Sequence, residues 1–366
     1  MTSWADWVDG ELDGIRAADR WRAPVATDGA DPRAALISFA SNDYLGLTQH
    51  RAVVAAAHAA LDESGAGSGS ARLVVGSREA HHALEAELAD WKGTERAVLF
   101  ATGYQTNLAV LSTFGGRGTR IVSDELNHAS IIDGCRLSKA EVTIYDHADV
   151  EHAASLLQGA SRAVLVTDSV FSMDGDAAPL DDLAQLARST GALLVVDEAH
   201  AVLGPDPKWS ADDELAFVRV GTLSKTLGSL GGFVAASAAV CDLLVNRARP
   251  YIFTTASTPA DTAAARAALA VLRSSEGEAL LARLAAHVKR VCPGHRSPIV
   301  PIVLGDEQAA LDAAAFMADR GLLVPAIRPP TVPVGTSRLR VALSAAHTDD
   351  EVTQLVHALK DLDVST

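Results

Sequence analysis

Two residues able to share one piece of chemistry stand 28 positions apart in this 366-residue chain. Asp197 closes the apolar stretch of VVDEAH (195–200), and Lys225 lies in GTLSKT (221–226), a turn rich in Gly, Ser and Thr. Each follows an apolar run, so both emerge at the carboxyl edge of a sheet, where open α/β folds bind their ligands. An amine there can form a Schiff base with an aldehyde cofactor, and a buried carboxylate can keep the ring nitrogen of pyridoxal phosphate (PLP) protonated. His200, three residues past Asp197, adds an imidazole to the same edge. Taken singly these are ordinary residues: a helix cap, a solvated lysine, a hydrogen-bonded core histidine. Their order and setting make the cofactor reading the better one.

DEAH after an apolar strand is also the magnesium-binding box of a helicase class. Such a motor needs a GxxxxGK[ST] loop to cradle phosphates, and the chain contains no Gly-Lys dipeptide. Its 31 Lys+Arg against 46 Asp+Glu leave a net charge of −15, which excludes a nucleic-acid binder as well.

A cofactor phosphate needs N–H groups at a helix start. ATGYQTNLAV (101–110) supplies a strand end, then Gly103 and Tyr104, then a helical stretch, and Thr222 and Ser224 can add hydroxyls. His128, in SDELNHASIIDG, follows a predicted strand and opens a helix, a position from which an imidazole can stack on a planar ring. The Gly/Ser-rich GAGSGSARLVVGS (65–77) reads as a substrate-facing loop that includes Ser70. No strand precedes it, so it is not a dinucleotide fingerprint. No metal site is expected.

The elements that must position these residues are legible as alternating patterns. Seven short apolar runs, AVLF (97–100), RIV (120–122), VTIY (142–145), RAVLVT (162–167), ALLVV (192–196), VRVGT (218–222) and GGFVAAS (231–237), are separated by helically spaced segments. This predicts an α/β fold with a mainly parallel sheet covered on both faces. Beyond about residue 285 the order becomes strand (SPIVPIVLG), helix, strand (LLVPAIRPP), strand (SRLRVALSA), helix, which predicts a small α+β domain. The expected division is an N-terminal helical segment (1–39), a large cofactor-binding domain (40–285) and a small C-terminal domain (286–366), close to the two domains the length suggests.

Three cysteines, Cys135, Cys241 and Cys292, form no CxxC pair and give no disulfide framework, which points to a reducing cytoplasm. The start, MTSWADWVDGELDGIRAAD, is acidic and amphipathic and lacks the basic and apolar regions of a secretory signal. No apolar run approaches a membrane span, so no membrane partner is expected.

Taken in order, SNDYLGL (41–47), the Gly/Ser loop with His81 and Glu85, TGYQTN, NHASIIDG, TDSVFSMDGDAAPL (167–180), VVDEAH, GTLSKTLGSLGG and IRPPTVPVGTSRLR (327–340) resemble the α-oxoamine synthases, PLP enzymes of fold type I. The resemblance spans residue 40 to the end. It implies an acyltransferase in which Lys225 carries the cofactor, Asp197 holds the ring nitrogen, His200 bonds the ring phenolate, Ser172 lies beside the ring and His128 stacks. Gly103, Tyr104, Thr222 and Ser224 would hold the phosphate. Thr254 and Thr255 would reach the phosphate of the neighbouring subunit of a homodimer with shared sites, and Asn42 would act from the facing chain. Arg340 would clamp the amino-acid carboxylate, with Ser70 and Thr331 also toward substrate, and Arg22 and Arg328 would take the acyl donor's free carboxylate. IRPPTVP followed by G-T-x-R-L-R resembles most the members that join L-alanine to a pimeloyl thioester, on coenzyme A or acyl carrier protein, in biotin synthesis. Sister chemistries with glycine or serine and other thioesters, and a non-catalytic regulatory protein of the same fold, are the alternatives. Two departures stand out: Ala201 and a shortened AVLGPDPKWSADDELAFVRV after DEAH, near the expected acyl site, and GSGSAR in the Gly/Ser loop.

Overall fold

The computed structural model describes residues 2–18, 20–22, 24, 35–209 and 214–362. In chain order its first elements are α1 (Trp4–Ala17), β1 (Ile37–Ser38), α2 (Arg51–Ser64), α3 (Glu79–Lys92), β2 (Arg96–Phe100), α4 (Gly103–Phe114), β3 (Arg120–Asp124), α5 (Ala129–Leu137) and β4 (Glu141–Tyr145). There follow α6 (Val150–Leu157), β5 (Ala163–Asp168), α7 (Leu180–Thr190), β6 (Leu193–Asp197), β7 (Phe217–Thr222), β8 (Gly232–Ala236), α8 (Ala238–Arg247), α9 (Arg249–Ile252) and α10 (Pro259–Leu272). The last are α11 (Ser275–Val291), β9 (Ile299–Gly305), α12 (Glu307–Ala318), β10 (Leu322–Leu323), β11 (Ala326–Ile327), β12 (Ser337–Ala342) and α13 (Asp349–Asp361).

All seven apolar runs become strands of one sheet, ordered β2-β8-β7-β6-β5-β3-β4. Strands β7, β6, β5, β3 and β4 are parallel neighbours; β8 runs antiparallel between β2 and β7. Val164, Val166, Val195, Val218 and Val220 pack on one face with α4 and α5, while Leu165, Leu194 and Val196 pack on the other with α6 and α7. That two-sided burial is why these strands read as continuous apolar runs rather than alternating ones. The parallel register sets Asp168 of β5 directly beside Asp197 of β6.

The C-terminal part carries an antiparallel sheet, β11-β12-β9. LLVPAIRPP does not form one strand: Pro325, which lacks an N–H to donate, separates β10 from β11. The boundary expected between 285 and 286 falls inside α11, which runs uninterrupted to Val291. Leu284, Val288 and Val291 of that helix share a core with Ile299, Leu339, Val341 and Leu355. The segment assigned to the N-terminal part is drawn in too: β1 pairs parallel with β10, and the Phe39 carbonyl accepts from Ala342 N at 2.8 Å. Helix α1 buries none of its residues. Residues 25–34 of that N-terminal stretch lie outside the described residues.

Candidate active site

Asp197, at the end of β6, is buried, and both its oxygens are held: Oδ1 accepts from Ala199 N at 2.9 Å and Oδ2 from Asn107 Nδ2 at 2.6 Å. Asn107 lies on α4, fully buried, and also donates to Ser130 Oγ at 2.9 Å. Lys225 follows β7 and brings Nζ to 2.7 Å from His200 Nε2. The other ring nitrogen of His200 is 2.6 Å from the Tyr44 hydroxyl, which donates to Asn42 Oδ1 at 3.1 Å. Since a hydroxyl has one hydrogen and Asn42 takes it, His200 Nδ1–H donates to Tyr44 and Nε2 accepts from the amine. Arg340 ends this run: Nη2 donates to Asn42 Oδ1 at 3.1 Å and Nε to the Ser172 carbonyl at 2.6 Å.

The electrostatics follow from burial. Desolvation pushes His200 well below its ordinary value, helped by the positive charges of Lys225 and Arg340. It also lowers Lys225, against the pull of Asp197 and Asp168, and raises Tyr44 to about 12. His128 is lowered by burial as well. An unfolded chain protonates such imidazoles near 6.5, whereas the fold resists doing so, so both histidines subtract stability as pH falls below 6.5. The melting temperature of cofactor-free protein is therefore expected to drop between pH 7 and 5, with a shallower slope in His200→Asn. Equal slopes would contradict this assignment.

His128 caps α5 through Nδ1, which accepts from Ser130 N at 3.2 Å, and its backbone N–H donates to Asp168 Oδ2 at 2.7 Å. Asp168 is buried with its carboxyl raised well above the ordinary range, first by desolvation and then by the neighbouring charge of Asp197. At the start of α4, Thr102 caps the helix and Gly103 lies against Thr222, so that a Cβ would come within 3.1 Å of the Thr222 Cβ. Thr222 Oγ1 in turn meets Ser224 Oγ at 2.8 Å. The Tyr104 side chain turns to Asp133 of α5.

Asp197, Lys225, His200, His128, Ser172, Gly103, Thr222, Ser224 and Arg340 thus cluster at one sheet edge. Asn42 joins them from the same chain, not from a facing one, because the Tyr44–His200 contact fixes the SNDYLGL segment against its own Arg340. Arg22 and Arg328 form a second group: Arg22 donates to the Pro329 carbonyl at 3.1 Å, and Arg328 lies 4.0 Å from Glu307, which Arg20 grips at 2.6 and 3.3 Å. Exposed Thr331 donates its N–H to the Arg328 carbonyl there. Ser70 belongs to a third group; its carbonyl accepts from Ala256 N, beside Thr254 and Thr255. Part of the Gly/Ser stretch closes into a π-helical turn, Arg72–Gly76, whose Arg72 pairs with Glu85 at 2.9 and 3.0 Å.

Sequence reasoning missed Asn107, Tyr44 and Asp168. Tyr44 and Asn107 are visible in SNDYLGL and TGYQTN, but nothing in their spacing signals contacts made across 156 and 90 residues. The shortened run after His200 lines a cavity of about 740 Å³ whose walls include Trp91, Phe233, Leu272 and Thr226. Asp206 of that run pairs with buried Arg219 at 2.9 Å, and Arg219 with Glu198 at 2.5 Å, tying the loop to the DEAH turn.

A primary amine, a buried carboxylate held by an amide, a nearby imidazole and a glycine-lined helix start with two hydroxyls are a donor set that fits an aldehyde with a basic ring and a phosphate. The Gly103–Thr222 contact is part of this fit, since Gly232 opposite allows no Cβ either: it would lie 2.7 Å from Gly103 N.

The family model for aminotransferase class I and II matches residues 34–359. An 8-amino-7-oxononanoate synthase of Anaeromyxobacter dehalogenans is 48% identical, the match covering 97% of this chain and 94% of that one. Among solved structures, a serine palmitoyltransferase variant from S. paucimobilis with a bound PLP–myriocin aldimine superposes with a TM-score of 0.88 at 29% identity, over 98% of this chain and 96% of that one. An 8-amino-7-oxononanoate synthase from Francisella tularensis gives 0.75 at 28%, over 90% and 98%.

Proposed function

The chain belongs to the aminotransferase class I and II family, with the PLP-dependent fold type I, and from that premise we propose that it condenses L-alanine with a pimeloyl thioester. The products are 8-amino-7-oxononanoate, carbon dioxide and the free thiol, a step of biotin synthesis. The observation that carries this reading is the unbroken hydrogen-bonded run from Lys225 through His200, Tyr44 and Asn42 to Arg340, with Asp197 beside it.

Bound here, PLP supplies an electron-withdrawing ring that stabilises negative charge at the amino-acid Cα. Lys225 would hold its aldehyde carbon and Asp197 a proton on its ring nitrogen. His200, in the tautomer that carries its hydrogen on Nε2, would donate to the phenolate, Ser172 would lie beside the ring, His128 would stack, and Gly103, the Tyr104 backbone, Thr222 and Ser224 would take the phosphate. Arg340, already oriented by Ser172 and Asn42, receives the carboxylate of L-alanine with its planar guanidinium. Lys225 Nζ moves the Cα proton, and burial keeps more of that amine in its free-base form than a solvated lysine would have. The new carbon–carbon bond joins Cα to the acyl carbonyl, the thiolate leaves, and the carboxylate departs as carbon dioxide. Arg22, bonded to the Pro329 carbonyl, and Arg328, beside Glu307, take the distal carboxylate of the acyl chain, with Thr331 at the same loop and Ser70 toward the donor.

Mass detection of product from L-alanine and pimeloyl-CoA with added PLP tests the reaction. Parallel assays with pimeloyl-acyl carrier protein identify the donor, and assays with glycine or serine and other thioesters test the sister chemistries. Turnover of those alone, with no alanine–pimeloyl product, would overturn the substrate assignment. Absence of turnover with every pair would favour the regulatory alternative.

A homodimer with shared sites is part of the proposal, Thr254 and Thr255 reaching toward the other subunit's phosphate. Leu73, Val74 and Val75 support it, being exposed beside Phe253 through the Ala71–Thr255 bridge, an apolar surface that a partner would cover. Val74→Asp combined with Phe253→Asp is expected to sediment as a monomer and to lose most activity; a fully active monomer would refute shared sites. The cytoplasm is the proposed setting, supported by the free thiols of Cys135, Cys241 and Cys292. No helix among the described residues is long and apolar enough to cross a membrane.

A further inference from the structure

Arg340 takes its aim from a loop that is itself held from behind. Phe171–Asp176 folds back as a tight turn: Phe171 N donates to the Asp176 carbonyl at 3.0 Å, Gly175 N to the Phe171 carbonyl at 2.8 Å, and Val170 bridges Ala177. Toward the C-terminal sheet this turn presents the Ser172 carbonyl to Arg340 Nε and the Asp174 carboxylate to Arg338. It sits so close to β9 that a Cβ on Gly175 would lie 2.0 Å from the Ile299 carbonyl.

His147 braces the opposite side. Its Nε2 meets Asp176 Oδ2 at 2.7 Å, its Nδ1 meets Asp124 Oδ1 at 3.0 Å, and its ring stands edge-on to Phe171 at 4.4 Å. With a carboxylate on each ring nitrogen, both nitrogens must carry hydrogen, so the ring is an imidazolium. The hydrogen bonds to Asp124 and Asp176 push it up to about 10, in keeping with that geometry. Asp124 is a firm footing: it ends β3, is buried, and accepts from Leu126 N and Ala148 N at 2.9 Å each. Ala148 adopts φ +57, the one non-glycine residue in the left-handed region among the described residues. That conformation costs free energy and persists where the surroundings impose it. Here the Asp124 bond to Ala148 imposes it, directly after His147.

We propose that His147 is a positioning residue for amino-acid recognition, a fixed cation that ties the Phe171–Asp176 turn to the central sheet so that the Ser172 carbonyl aims Arg340 at the substrate carboxylate. The inference rests on the reading of Arg340 given above. No step of the reaction otherwise uses His147, Asp124 or Asp176.

The test uses holoenzyme of the wild type, His147→Gln, Asp176→Asn, the double variant and Arg340→Lys. L-Alanine affinity is read by absorbance titration of the bound cofactor, alongside KM for pimeloyl-CoA and the melting temperature. His147→Gln and Asp176→Asn are each expected to weaken L-alanine binding about tenfold, while KM for pimeloyl-CoA stays within about twofold. The double variant should be little worse than the worse single one, because both cut one path. Asp176 is partly exposed, so its variant carries the test should His147→Gln fail to fold. Unchanged L-alanine affinity in the Asp176 and His147 variants, with Arg340→Lys weakened, overturns the inference and leaves the clamp reading standing. Unchanged affinity in Arg340→Lys overturns the clamp reading and this inference with it. Parallel weakening of both substrates, or additive effects, assigns His147 a merely structural role and also overturns it.

Discussion

Lys225→Ala is expected to lower turnover by at least about 10⁴-fold while leaving the fold intact, as read by steady-state kinetics and circular dichroism. The size follows from two functions resting on one atom. Nζ is the amine that would hold the cofactor aldehyde, and in the same place it is the base at the substrate Cα, hydrogen-bonded to His200 Nε2 at 2.7 Å. The other groups in its reach do not replace both: His200, held at Nδ1 by Tyr44, has no primary amine with which to hold an aldehyde, and Asp197 and Asp168 are carboxyl groups engaged with Asn107, Ala199 and His128. The covalent absorbance of added PLP should vanish with the lysine. A Lys225→Ala protein that keeps both the band and a tenth of the activity would remove Lys225 from the mechanism.

Asp197→Asn is expected to weaken PLP binding by about 10²–10³-fold, measured by equilibrium dialysis, with little change in melting temperature of the cofactor-free protein. The amide oxygen can still accept from Asn107 or Ala199, so what is lost is mainly charge, and an uncompensated buried charge on the partner is the expensive term. The same change is expected to depress Lys225 further, since Asp197 is the larger of the two anionic influences that hold its pKa up. It should also let Asp168 fall back toward the ordinary carboxyl range, because the charge beside it is gone. Asp168→Asn serves as the comparison. Equal losses from both variants would mean that the pair, not Asp197, carries the interaction.

The parts of the molecule legible in sequence are those whose signal is local. Seven buried parallel-sheet strands announce themselves as apolar runs because both faces are covered, and Asp197, His200 and Lys225 lie within a few residues of such runs. What escaped reading is non-local. Asn107 holds Asp197 from a helix 90 residues earlier, and Tyr44 holds His200 from 156 residues earlier. Asp168 gains its character only from the register that sets it beside Asp197. The misplaced boundary at 285 has the same origin: an alanine-rich helix shows no composition break until Pro293, whatever core it serves. The place of Asn42 is non-local too: the resemblance implies a role from the facing chain, whereas the fold brings it to Arg340 of its own chain, 298 residues away.

The pairing of β1 with β10, and of Phe39 with Ala342, has a consequence for biosynthesis. Asn42 and Tyr44 leave the ribosome nearly three hundred residues before Arg340, yet one hydrogen-bonded run needs all three. A nascent chain can form the parallel sheet with Asp197 and Lys225 well before Ala342 emerges, but the stretch around Phe39 must wait, unpaired, while the intervening residues are made. Loop closure over three hundred residues is slow, and exposed apolar segments aggregate in the interval. Truncation near the C-terminus should therefore yield chains that keep the large sheet, hold L-alanine poorly and depend on chaperones, a pattern that ribosome profiling of stalled, pulled-down chains can follow.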